Sequence, residues 1–134
     1  MTKLNILLVE DSKRLRDLEL ELLNAHGELE VGAFSDSEGD ALALLAASTF
    51  DVVILDLKLK SGTGFGILRW LAESVERRAE KVIVFTNHVD EDFRRHAAKL
   101  GAMHFFDKTK QFPELVAALL GLAHSRQEPR PTLN

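Results

Sequence analysis

The chain has 134 residues, a formal net charge of -4, 46% hydrophobic and 28% charged residues, and no cysteine. One globular domain is expected, burying roughly two thirds of its unfolded surface. The acidic balance argues against direct nucleic-acid binding, the missing cysteine excludes disulfides and zinc–thiolate sites and fits a reducing cytoplasm, and no apolar run approaches the roughly 18 residues of a membrane span.

Leu4 to Val9 is a buried-strand candidate ending on Glu10-Asp11. Ser12 suits an N-cap, opening a helix with apolar Leu15, Leu18, Leu22 and Leu23 that Gly27 ends. Leu29 to Phe34 alternates as a strand does, and Ser35 to Gly39 turns into a helix from about Asp40 to Ser48. Asp51-Val52-Val53-Ile54-Leu55 is too short for a buried helix but long enough for a strand covered on both faces. It ends on Asp56, and the glycine-rich turn Ser61-Gly62-Thr63-Gly64 follows. Phe65, Ile67, Leu68, Leu71 and Val75 then suggest a helix ending near Arg77-Arg78.

Lys81 to Phe85 is another buried strand, closing on Thr86-Asn87-His88, and a polar helix from Asp90 to Leu100 stops at Gly101. Met103 to Phe106 makes a fifth strand ending at Asp107-Lys108, and Pro113 falls near the first turn of a last helix carrying Leu115, Val116, Leu119 and Leu120. The tail from Ser125 contains Pro129 and Pro131 and little apolar content. The expected organisation is therefore one domain over 1–124 and a tail with little structure over 125–134.

Five strands alternating with five helices call for a doubly wound α/β fold, with a parallel sheet covered by helices on both faces. All strands then point the same way, so Glu10, Asp11, Asp56, Thr86 and Lys108, each just past a strand end, converge on one edge. Taken singly, each has an ordinary reading: the acids as turn formers or helix caps, Thr86 as a cap, Lys108 as a solvated lysine. Together they form a chemical set. Crowded carboxylates need a cation or shared protons, and an all-oxygen site without cysteine suits Mg²⁺. A carboxylate, a divalent cation, an ammonium and a hydroxyl are what phosphoryl transfer to a carboxylate requires.

From about Leu4 to Leu122 this pattern closely resembles the receiver domain of two-component response regulators, the family that includes the single-domain chemotaxis regulators. The resemblance implies a flavodoxin-like sheet with strand order 2-1-3-4-5. It implies that Asp56 accepts a phosphoryl group from a phosphohistidine on a sensor histidine kinase or histidine phosphotransfer protein, and that the domain catalyses only its own phosphorylation and dephosphorylation. Asp11, Asp56 and the backbone carbonyl of Lys58 would bind Mg²⁺ directly, Glu10 would act through water, and Thr86 and Lys108 would contact the phosphoryl oxygens.

Two departures from the family pattern bear on this. Lys60 stands where a proline is frequent, although Gly64 matches the glycine that follows, and Thr109 rather than proline follows Lys108. A cis bond before a residue other than proline costs about 2.5–4 kcal/mol, so a trans or more mobile loop is expected there. Phe105 occupies the place of the aromatic switch partner of Thr86. Without a hydroxyl it is expected to couple by packing alone, against the plainer reading of a core residue.

Lys58 and His88 fall where the family flanks the path of attacking water and are expected to tune hydrolysis. His26, His96, His104 and His124 read as surface or helix-end residues. Helix four, strand five and helix five would form the partner-docking face, with dimerisation on phosphorylation left open. No room remains after Leu122 for an output domain, so signalling is expected through protein contacts in the cytoplasm, unless the chain is a piece of a longer DNA-binding regulator. The enzyme alternative is an Mg²⁺-dependent phosphohydrolase with an aspartyl nucleophile. Such enzymes usually carry a second Asp two residues on, where Lys58 stands. A flavin protein would meet repulsion between its phosphate and Glu10-Asp11, and Ser61 to Gly66 lacks the Gly-Lys-Ser/Thr ending of a nucleotide loop.

Overall fold

The computed structural model describes residues 3–74 and 80–127. Strands β1 (Leu4–Val9), β2 (Leu29–Ser35), β3 (Val52–Leu55), β4 (Lys81–Thr86) and β5 (His104–Asp107) pair in parallel in the order β2-β1-β3-β4-β5. They alternate with helices α1 (Lys13–Asn24), α2 (Glu38–Ala47), α3 (Gly64–Glu73), α4 (Glu91–Lys99) and α5 (Phe112–Gln127). The strand order reverses between β1 and β3, and such a switch point opens a crevice at the carboxyl ends of the strands. This is the expected doubly wound α/β fold.

The short apolar runs serve two cores at once, because successive side chains in a strand point to opposite faces. Val9, Val53, Leu55 and Val84 pack with Leu45 of α2 and Ile67 and Leu68 of α3. Leu8, Val52, Ile54 and Ile83 pack with Leu23 of α1 and Leu115 and Leu119 of α5. Every residue of β3 is buried, which is why that strand reads as continuously apolar rather than alternating.

Several element ends differ from the sequence reading. Helix α1 ends at Asn24, where Ala25 closes the last turn onto Glu21, ahead of Gly27. Helix α3 stops at Glu73: Ser74 is extended, and its hydroxyl donates to the Trp70 carbonyl at 2.7 Å, competing with the helical ladder. The continuation expected through Val75 to Arg77-Arg78 lies outside the described residues. Helix α5 runs to Gln127, so the first residues assigned to the tail are helical, while 128–134 lie outside the described residues. The helical spacing of Leu15, Leu18, Leu22 and Leu23 left open which face of α1 turns inward: the first three are 38%, 50% and 41% exposed, and the helix buries Glu19 and Leu23.

Candidate functional site

Ladder hydrogen bonds carry the pocket residues just beyond the strand ends. The Glu10 N–H donates to Ser35 at 2.9 Å, the Asp56 N–H to Val9 at 3.1 Å, and the Lys108 N–H to Thr86 at 3.0 Å. Each bond continues the pairing of two strands past their ends, so sheet register itself sets where these side chains stand. Gly64 lets α3 begin close by: a Cβ there would collide with the Asp56 carbonyl oxygen and lie 2.8 Å from Leu55 Cδ1.

The two oxygens of buried Asp56 are held separately. Oδ1 accepts from the Thr86 hydroxyl at 2.6 Å and from the Leu57 N–H at 2.7 Å. Oδ2 accepts from Lys108 Nζ at 2.6 Å, and the same ammonium donates to Glu10 Oε1. Glu10 Oε2 takes the Ser12 N–H at 3.1 Å, and the Thr86 oxygen accepts from the His88 N–H at 3.2 Å. Burial of charge costs several kcal/mol per ion unless hydrogen bonds and opposite charges compensate, and this network supplies both. Burial raises the Glu10 pKa, with Lys108 opposing. Burial works the other way on Lys108, but hydrogen bonds and charge from Asp56 and Glu10 outweigh it and hold the ammonium above its ordinary pKa.

Oxygen atoms of Glu10, Asp11 and Asp56 all lie within 4.8 Å of one another. The Lys108 ammonium pairs with two of these three carboxyls, Glu10 and Asp56, and the three together are a donor set that fits a hard cation taking oxygen ligands. Glu10, Asp11, Asp56, Thr86 and Lys108 thus meet at the predicted edge.

The Lys108 loop needs no proline. Among the described residues there is no cis peptide bond. Asp107 Oδ1 accepts from the Thr109 N–H at 2.8 Å and its hydroxyl at 2.6 Å, which also lowers the Asp107 pKa. The Asp107 N–H donates to Gln111 at 2.9 Å. Thr109 therefore closes the loop with its own side chain, and Lys108 reaches Asp56.

Lys58 and His88 are exposed and line a cleft of about 260 Å³ with Leu57, Thr63, Phe65 and Phe93. Phe105 is half-buried against the α2–α4 core, and the Arg94 guanidinium lies 4.7 Å from its ring centroid while donating to its carbonyl at 3.3 Å. That cation–π contact adds to the packing expected of Phe105.

Sequence reasoning missed three neighbours. Arg16 donates to the Glu10 carbonyl at 3.0 Å and lies over the Phe34 ring. Glu19 is buried beside the acids, its Oε1 without a hydrogen-bond partner. Glu38 reaches the turn after Asp56. A charged residue within a helix ordinarily reads as outward-facing, so the local sequence carries no signal for any of them.

A parallel, doubly wound sheet with a lysine, a hydroxyl and clustered acids around one buried aspartate defines an α/β protein with an acidic pocket at its switch point. The comparisons make the class specific. The chain belongs to the response regulator receiver domain family, whose model matches residues 6–120. It is 31% identical over 115 residues to the regulatory protein VirG of Agrobacterium tumefaciens (strain 15955), covering 86% of this chain and 42% of that protein. The chain thus spans less than half the length of VirG. Among solved structures, the signal receiver domain of a DNA-binding response regulator from Colwellia psychrerythraea 34H is 27% identical, with a TM-score of 0.82 over 91% of this chain and 99% of that one. The Mn²⁺-bound form of response regulator Rcp1 is 25% identical, with a TM-score of 0.74 over 97% of this chain and 98% of that one.

Proposed function

We propose that Asp56 is the phosphoacceptor of this receiver domain and takes its phosphoryl group from a phosphohistidine on a sensor histidine kinase or histidine phosphotransfer protein. The observation that carries this reading is the convergence of the Thr86 hydroxyl and the Lys108 ammonium on opposite oxygens of one buried carboxylate, each at 2.6 Å. In the transfer an Asp56 oxygen forms a bond to phosphorus as the phosphorus–nitrogen bond of the donor breaks, leaving an acyl phosphate and a free imidazole. Lys108 and Thr86 then turn from the carboxylate to the new phosphoryl oxygens. Mg²⁺ held by Asp11, Asp56 and the Lys58 carbonyl, with Glu10 acting through water, would supply positive charge against those oxygens.

The chemistry ends with the domain's own phosphorylation and dephosphorylation, and Lys58 and His88, at the mouth of the adjoining cleft, tune the second step. As Thr86 moves toward phosphate, Phe105 repacks, loosening its contact with Arg94 and changing the α4–β5–α5 surface that a downstream protein or a second copy of the chain reads. The proposed location of the domain is the cytoplasm; among the described residues no helix is long and apolar enough to cross a membrane.

The test is incubation with Mg²⁺ and acetyl phosphate followed by intact mass measurement. Wild type should gain one phosphoryl group and Asp56→Asn none. A labelled Asp56→Asn protein, or an unlabelled wild type, overturns the assignment, and steady turnover of phosphomonoesters would favour the hydrolase.

A further inference from the structure

The turn after Asp56 is held from outside by helix α2. The Glu38 backbone N–H donates to the Ser61 carbonyl at 2.9 Å, and the Glu38 carboxylate accepts from the Thr63 N–H at 2.9 Å. Thr63 also caps α3, accepting from the Gly66 N–H at 3.3 Å, and forms an isolated antiparallel bridge with Lys58. One acid from another helix therefore restrains the closing arm of a turn whose opening arm carries Lys58.

The glycines record the same contact. A Cβ on Gly62, whose φ is +80°, or on Gly66 would collide with the Glu38 side chain. The glycine-rich turn, which resembled a nucleotide loop only weakly, thus has a physical account: two of its glycines leave room for a carboxylate arriving from α2.

We propose that Glu38 is a positioning residue for the phosphoryl pocket, setting the conformation of the Lys58–Thr63 turn and with it the place of the Lys58 carbonyl, which the proposed function makes a Mg²⁺ ligand with Asp11 and Asp56. The inference rests on reading that pocket as a Mg²⁺ site and names a residue outside it that regulates its affinity. Mg²⁺ demands near-ideal octahedral geometry at about 2.0–2.1 Å, so a ligand on a loosened turn binds poorly. Groups that orient ligands from behind commonly change metal affinity by about 10–100-fold.

The experiment is Mg²⁺ titration calorimetry on the unphosphorylated protein, paired with amide hydrogen exchange at Thr63. Glu38→Ala should speed exchange at Thr63 and weaken Mg²⁺ binding by about tenfold. Glu38→Gln, which keeps an acceptor oxygen at the same reach, should recover most of the loss. Gly66→Ala approaches from the other side: its Cβ displaces the carboxylate, weakening Mg²⁺ binding although alanine favours the helix. It also carries the test should Glu38→Ala fail to fold. In a Glu38→Ala background Gly66→Ala should have no further effect, because the two act through one contact. Asp40→Ala, on the same helical turn, should bind Mg²⁺ as wild type does.

Mg²⁺ affinity unchanged in Glu38→Ala, or additive effects of the two substitutions, overturns the proposal alone. Failure of wild type to bind Mg²⁺ overturns the pocket reading and this proposal with it.

Discussion

The carboxyl edge of the sheet buries charge, while helix α1 beside it exposes leucine. Glu10 and Asp56 are 1% and 7% exposed, whereas Leu15, Leu18 and Leu22 lie between 38% and 50%. The two regions meet in one groove of about 470 Å³, lined by those leucines together with Lys108, Thr109 and Phe112. Both depart from the usual arrangement, but at different cost. A buried charge needs partners in place, so each pocket residue depends on the others. An exposed leucine forgoes only the gain of burial, and apolar atoms contribute much of any protein surface. The pocket should therefore be energetically brittle and the outer face of α1 tolerant.

The sharpest way to break that contrast is Lys108→Ala. It leaves Glu10 and Asp56 without their shared cation and should cost roughly 3–5 kcal/mol in urea unfolding without divalent ions. Added Mg²⁺ should recover part of the loss. A cost below about 1 kcal/mol in metal-free buffer would show that the buried charges do not depend on one another.

The next effect is a pH dependence. Burial, reinforced by the negative charge of Glu10, raises the Glu19 pKa from 4.5 to about 8. The folded protein therefore binds this proton more tightly than the unfolded chain does. Its contribution to stability is complete below about pH 4.5 and declines as the pH climbs toward 8. Glu19→Gln removes that decline, so in metal-free buffer the variant should gain on wild type by about 1 kcal/mol per pH unit across the window. Denaturant melts at pH 5 and pH 8 check this, and parallel profiles for the two proteins would contradict it.

The smallest effect sharpens the tolerant side. Leu18→Ser should change stability by no more than about 0.5 kcal/mol. Leu23→Ala, on the inner face of the same helix, should cost roughly 2–5 kcal/mol by thermal unfolding. Equal losses would mean that α1 does not distinguish its two faces.

Much of the pocket was legible in the sequence because its members sit at places that local rules mark. A buried strand in an α/β chain ends at the carboxyl edge, and topology does the rest, so Asp56, Thr86 and Lys108 could be brought together without coordinates. Ser12 was equally readable, since an N-cap is a local matter, and its hydroxyl accepts the Leu15 N–H at 3.3 Å. The trans loop expected after Lys108, where Thr109 replaces the family's usual proline, is closed by the Asp107–Thr109 pair, which the sequence contained but whose meaning depended on where the side chains met.

Strand identity, strand direction and the shared edge follow from the sequence itself, because the period of a strand and the chemistry of its ends are set within a few residues. Which face of α1 turns inward was decided only by the packed structure. So were the Glu38 contact across to the α3 turn and the seat of Arg94 over Phe105. Each depends on a partner from another element, and the sheet chooses among similar helical faces by how well each fills the space against it.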